Sequence, residues 1–426
     1  MGMHRAVTVV RPTPSWVRAH HSLFLPAFWL LVVLLVAGAW QVALMVRVGV
    51  TAYPLATLLA IVLFAVYAVP FVLVARSLDY FEREPPLLIL AAFGWGGLVA
   101  TSTAVRANVA AHDLLAKLVS AAFATRWGPA VTGPALEEPV KVLGVVVIVL
   151  IAGRQMNSVV DGFVYGAFVG LGFQVVENIM YAVNAVALAG GGDRFGPVIA
   201  VFLLRGFLGG LWSHTLFSAL AGAGVAYLVL HPTRVGAVRC AAAQAGAVGF
   251  HALWNSPLLA DGFGYGTPGV LAALLLKGTP ALTVVLWLVR SAGRHEAGYY
   301  LSRLVGDPRV ATDRELAALA TGGTRFAARR LAFARGGRRL ARCVRRLQRA
   351  QARLALDLSR GLPARAAEHR AEALALRQVL EASGHPEAYA PGNAGAAGGW
   401  FWAAGCVGAA MLAVLVAAAI RALGGG

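Results

Sequence analysis

The chain has 426 residues, 59% of them hydrophobic and only 13% charged, with a net charge of +18. So apolar a chain of this length cannot be an ordinary soluble globular protein, and the composition predicts a polytopic membrane protein. The cysteines (Cys240, Cys343, Cys406) stand apart with no C-x-x-C spacing, which argues against both a disulfide framework and a thiolate metal site.

In chain order, residues 1–26 form a short basic segment carrying Arg5, Arg11 and Arg18. The first apolar run is ~20 residues long and more follow it, so it reads as a membrane span and not as a cleavable leader. Windows of similar length predict spans near 27–46, 55–75, 87–105, 131–152, 159–188, 209–230, 236–257 and 269–289, with a last one at 400–421. The stretch 197–208, with Arg205 ahead of the Gly209-Gly210 pair, is expected to be an interfacial or re-entrant approach to the sixth span. Residues 106–128, with His112 and Asp113, are expected to form a polar, partly amphipathic outer loop. The fold class expected is therefore all-α: a transmembrane helical bundle of about eight spans over 27–290, plus one C-terminal span.

Residues 291–390 differ in kind. Between Arg290 and Glu387 there are 20 Arg, 9 Asp or Glu and no Lys, so more than half of the excess positive charge lies here. Arg recurs every three or four positions with Leu, Ala and Phe between, an amphipathic pattern that predicts two or more helices. Eight preceding spans place this tail on the same side as the N-terminus, and the positive-inside rule makes that side cytoplasmic. Anionic lipid headgroups are the partner such a surface suggests. Nucleic acid is not expected, because no binding motif or aromatic platform accompanies the charge. A Gly/Ala/Pro linker at 391–399 leads to the final span.

The most informative stretch is "PALEEPVKVL" at 134–143. A charge near the bilayer centre costs roughly 2.5–3.5 kcal/mol, and an apolar residue returns only about 0.3–0.6 kcal/mol. Glu137, Glu138 and Lys141 therefore need a reason to be there. Three other spans raise the same question: Glu177 and Asn178 in "GFQVVENIMY", His214 in "LWSHTLFS", and His251 and Asn255 in "GFHALWNS". Counting residues to the cytoplasmic end of each helix places all four sites about 21–27 Å from that end, in one layer of the outer half of the membrane. Glu137 and Lys141 are i,i+4 with the acid first, the favourable order for a pair. Glu138 lies ~100° further round and is expected to point elsewhere, while Pro139 is expected to weaken or begin the helix. Gly162, Gly166 and Gly170, spaced by four, predict close approach of a neighbouring helix on the face that leads to Glu177.

Carboxylates and imidazoles in one buried layer support two chemistries. They can hold a divalent metal such as Zn²⁺, with a spare Glu as general base to water. Without metal, a buried Glu can activate water while His and Asn stabilise the oxyanion. Other protease signatures are missing: there is no H-E-x-x-H, and "GGGD" at 190–193 matches G-x-G-D only on paper, in a Gly-rich loop with no Tyr-Asp partner.

E-E-x-x-K (Glu137, Glu138, Lys141), F-x-x-x-E-N (Phe173, Glu177, Asn178), His214 and H-x-x-x-N (His251, Asn255) resemble, in order and spacing, the PrsW family of intramembrane proteases. "LDYFEREP" at 78–85 followed by "AFGWGG" is similar to the family's segment before the glutamate motif. The resemblance covers about 70–290 and does not reach the Arg-rich tail. It implies a multi-pass peptidase of the bacterial cytoplasmic membrane, related to CAAX prenyl endopeptidases and bacteriocin-immunity proteins. The implied substrate is a single-pass membrane protein, typically an anti-sigma factor, cut on its extracytoplasmic side. The resemblance also implies that Glu137 and Glu138 activate water, while Glu177, His214 and His251 bind metal or stabilise the oxyanion. Lys141, Asn178 and Asn255 complete the catalytic set. Two other readings use the same residues: an ion or proton transporter along the polar layer, and a non-catalytic scaffold or sensor that works through its basic tail.

Overall fold

The structure, a computed structural model, describes residues 24–210 and 213–385. The basic N-terminal segment, the linker at 391–399 and the span expected at 400–421 lie outside the described residues. All regular structure among the described residues is helical. The described residues fall into two compact units, one of 24–79 with 84–289 and one of 80–83 with 290–385.

The first unit contains α1 (Pro26–Ala52), α2 (Pro54–Leu78), α3 (Pro86–Leu118), α4 (Ala121–Ala152), α5 (Val159–Ala189), α6 (Phe195–Leu208), α7 (His214–Leu230) and α8 (Arg234–Asn255). It also contains the first two-thirds of α9 (Gly266–Leu301). Helices α1, α2, α3, α5 and α9 are long and apolar enough to cross a membrane. Helix α4 is as long, but its apolar half holds Glu137, Glu138 and Lys141. Helix α7 has 17 residues and begins at His214, not at 209, because 195–208 forms a helix of its own.

Two expectations are corrected. Residues 106–128 are not a loop: α3 continues to Leu118, and α4 starts at Ala121, where the Ser120 hydroxyl caps it by accepting from the Phe123 amide at 3.1 Å. Pro139 neither begins nor ends a helix, since α4 runs unbroken through Pro129, Pro134 and Pro139.

Helix α5 is the central element: 89% of its most apolar window is buried, against 11% for α1. The glycine stripe explains its closest neighbour. A Cβ on Gly162, Gly166 or Gly170 would run into the carbonyl oxygen of Gly222, Ser218 or His214 respectively, so α5 and α7 meet backbone to backbone. That contact fixes the height of His214. On another side, α3 contains a π-helical segment, Trp95–Ala100. The Trp95 ring fills the space over Gly144 of α4 and donates its Nε1–H to the Val140 carbonyl at 2.9 Å. Asp193 of the "GGGD" loop accepts from the Leu55 and Ala56 amides at 2.8 Å each, and so caps the start of α2.

The second unit holds the end of α9, then α10 (Asp313–Leu319), α11 (Gly322–Ser359) and α12 (Pro363–Ala382). Its core contains Leu319, Val344, Leu347 and Leu380, all 0% exposed. Capping boxes start both α10 (Thr312 with Glu315) and α11 (Thr321 with Thr324). Helix α11 breaks its regular path at Gly336–Gly337, where Gly337 has φ 64°. The Arg325 guanidinium lies 3.7 Å from the Tyr80 ring centre. Burial draws Arg325 down to about 10, which leaves it charged at neutral pH.

Candidate active site

Three helices supply the core of the site: α4 with Glu137, Glu138 and Lys141, α7 with His214, and α8 with His251. All five side chains are buried, and Lys141 completely so. The E-E-x-x-K spacing explains its central place. Glu137 lies four residues before Lys141 and Glu138 three before, so both carboxylates stand one turn before the lysine and within its reach. Lys141 Nζ donates to Glu137 Oε2 at 3.1 Å and to Glu138 Oε1 at 2.8 Å. The expectation that Glu138 points elsewhere is corrected by these contacts. Beneath the ammonium lies the Phe173 ring, 3.8 Å from Nζ to its centre.

The hydrogen-bond network assigns the imidazole tautomers. An ammonium has donors only, so His214 Nδ1, 2.8 Å from Lys141 Nζ, carries a lone pair. His214 Nε2 then bears the proton and donates to Glu177 Oε2 at 3.0 Å. His251 Nδ1 donates to Glu138 Oε1 at 2.9 Å, and its Nε2 accepts from Asn255 Nδ2 at 3.0 Å. The same Asn255 amide donates to the Pro129 carbonyl at 3.1 Å. The two imidazoles meet edge to face with centres 4.8 Å apart, and Phe217 stacks on His251.

One carboxylate oxygen stands out. Glu137 Oε1 accepts from Asn108 at 2.9 Å, whereas Glu138 Oε2 is buried with no partner among the described residues. Leaving a buried polar atom unsatisfied is costly, so such an atom asks for a ligand, a water or a chemical role.

Glu177 is held differently from the other acids. Its Oε2 accepts from both His214 and Arg205, the latter at 2.5 Å. Asn178 accepts from Arg205 Nε at 2.7 Å, and its own Nδ2 is buried without a partner among the described residues. A cavity of about 380 Å³ opens onto Glu137, Glu177, Asn178, Arg205, His214 and Asn255, between apolar walls from Leu204, Leu208, Phe217, Trp254 and Leu274. Glu138 and His251 lie behind that lining, joined to it through Lys141, Glu137 and Asn255.

The donor set suits a divalent metal. Glu137, Glu138, His214 and His251 each offer a ligand atom within 4.8 Å of the others. Glu137 Oε2 lies 3.8 Å from His214 Nδ1 and 3.9 Å from His251 Nε2, the two nitrogens with lone pairs. Bonds of about 2 Å to a tetrahedral ion need only slightly shorter separations. The opposite N–H of each imidazole is held by a carboxylate, the arrangement that orients metal-binding histidines. Three carboxylates against two cations leave the cluster formally negative, which also favours a bound cation. Glu177 is not among these four, because it addresses the far nitrogen of His214.

Residues 84–287 match the model of the PrsW family of intramembrane metalloproteases. Over this segment, just under half of the chain, the protein is similar to intramembrane metalloproteases of the PrsW family. No curated protein and no solved structure matches it. The matched segment contains every residue of the PrsW-like cluster, and the buried Glu/Glu/His/His group fits the metal chemistry the family description names.

The sequence singled out all of Glu137, Glu138, Lys141, Glu177, Asn178, His214, His251 and Asn255, and the structure joins them in one network. It missed Asn108, which seemed part of a loop, and Arg205, which was read only as part of an approach segment. The cost of a lone guanidinium in an apolar run was the signal that could have found Arg205.

Proposed function

We propose that this PrsW-like protein hydrolyses a peptide bond of a membrane-protein substrate, with Glu138 taking the proton from the attacking water. The observation that carries this reading is the convergence of Glu137, Glu138, His214 and His251 from three helices, with ligand atoms within 4.8 Å of one another. Within that group Glu138 has one oxygen fixed by Lys141 and His251 and the other unengaged, as a proton acceptor requires.

Glu137, His214 and His251 would hold the metal, and Zn²⁺ suits two imidazoles and a carboxylate. When bound, it supplies Lewis-acid polarisation of the scissile carbonyl and lowers the pKa of water. Lys141 donates to both neighbouring carboxylates and orients them. Glu177 holds the Nε2–H of His214, and Asn255 steadies His251. The unengaged Asn178 Nδ2, beside the cavity, is suited to donate to a backbone carbonyl of the substrate. The proposed substrate is a single-pass, anti-sigma-factor-like protein cut near the extracytoplasmic side. The N-terminus and the Arg-rich tail then face the cytoplasm, with anionic lipid as the partner of the tail.

The test uses purified protein reconstituted in vesicles with a single-pass reporter tagged at both ends. Glu138→Gln should abolish cleavage, and elemental analysis should find close to one divalent metal per chain, lost in His251→Gln. Undiminished cleavage by Glu138→Gln would falsify the role of Glu138, and metal-free protein of full activity would remove the metal.

A further inference from the structure

Arg205 sits in the π-helical end of α6, Phe202–Leu208. Its guanidinium engages three residues of one turn of α5. Nε donates to Asn178 Oδ1 at 2.7 Å, Nη2 donates to Glu177 Oε2 at 2.5 Å, and the guanidinium carbon lies 3.8 Å from the Tyr181 ring centre. The Glu177 oxygen that receives Nη2 is the one that receives His214 Nε2–H.

We infer that Arg205 is a positioning residue for the peptidase site: through Glu177 it fixes His214 with its proton on Nε2 and its lone pair on Nδ1. The inference rests on the proposed role of His214 for its kinetic part only. Arg205 and Lys141 are both pure donors, and they stand at opposite ends of one chain of hydrogen bonds. Arg205 donates into Glu177, His214 donates into the same oxygen, and Lys141 donates into His214 Nδ1. With a donor at each end, the proton on the imidazole has one place to be. Without Arg205, Glu177 is a partly buried carboxylate with no cation beside it, free to turn toward the cavity and leave Nε2 unheld.

A planar fork is needed, because one group must reach Glu177 and Asn178 together; an ammonium is a single point charge. Packing of α6 does not depend on it, since Val198, Val201 and Phe202 join the apolar cluster of α2 and α5. The Arg205 side chain is 34% exposed and lines the cavity, so a small cation can reach its place.

The spectra use full-length protein in vesicles, stripped of divalent metal by a chelator and labelled with ¹⁵N-histidine, with the His214 signal identified by its loss in His214→Asn; the kinetics use the same protein without stripping. The parent should show the Nε2–H form, and Arg205→Ala should show a mixture or the other form. With the tagged reporter, kcat of Arg205→Ala should fall about 10- to 100-fold with KM little changed, the size typical of groups that orient a ligating histidine. Millimolar guanidinium should restore part of that kcat in Arg205→Ala and none in Glu177→Gln. Arg205→Lys should recover less than guanidinium does. An unchanged tautomer in a folded Arg205→Ala overturns the inference, whatever the kinetics. So does a loss of kcat that guanidinium cannot restore. If the parent cleaves nothing, the peptidase reading fails, and the spectrum still decides the role of Arg205.

Discussion

Both units bury carboxylates, and they treat them in opposite ways. In the Arg-rich unit the buried acids bridge neighbouring helices. Glu315 accepts from the Thr312 amide at 3.0 Å, from Gln351 at 3.1 Å and from Arg377 at 2.7 Å, tying α10 to α11 and α12. Asp357 takes His369 at 2.8 Å. In the helical core, two adjacent acids share one ammonium, and a third acid and two imidazoles crowd the same space. Pairwise closure holds helices together. Convergence of three acids, two imidazoles and one ammonium on one point makes a place for chemistry.

The largest effect is expected from Glu138→Gln, which should lower the cleavage rate by about 10²–10⁴, the range for loss of a general base. It should leave the thermal midpoint near that of the parent; unfolding instead would put Glu138 in the class of Glu315. Lys141→Met comes next. Removing one partner from a buried ion cluster costs about 3–5 kcal/mol, read as a fall in the unfolding midpoint. Added divalent cation should recover part of that loss, and no recovery would mean that the carboxylates do not serve a metal. Gly170→Ala forces a methyl onto the His214 carbonyl and should cost about 1–3 kcal/mol, with loss of activity exceeding that of Gly249→Ala, where the added methyl meets nothing.

In the Arg-rich unit, Thr312→Ala should cost about 1 kcal/mol through the lost cap and leave cleavage unchanged. The smallest effect belongs to Arg346→Ala. Its pair with Glu372, at 3.3 Å, is 65% exposed on the arginine side and should contribute no more than about 1 kcal/mol, fading with salt.

The polar site was legible because an ionisable group in an apolar run has a known cost, and the same cost marked four helices. The glycine stripe of α5 was legible for a similar reason, since spacing by four has few uses other than close helix packing. What escaped has physical causes too. Glu138 seemed to diverge from Glu137 because its azimuth was judged alone, whereas a long lysine between two acids reaches both. Pro139 suggested a weakened or starting helix, yet a helix flanked by packed neighbours tolerates it. The polarity of 106–128 suggested a loop, but α3 turns its polar residues to use, as Asn108 does with Glu137. Arg205 was passed over because a single charge near a Gly-Gly pair looked like an interface anchor.

The cap on α2 has a consequence for the order of assembly. Helix α2 begins at Pro54 with no side-chain cap from its own neighbourhood. Its first amides, of Leu55 and Ala56, wait for Asp193, 138 and 137 residues further along. While the chain is being made, the α1–α2 hairpin stands with an open helix start until α5 is complete and its following loop arrives. The start of α2 is therefore locked only after the central helix has been made, and the aspartate that locks it announces that α5 is in place.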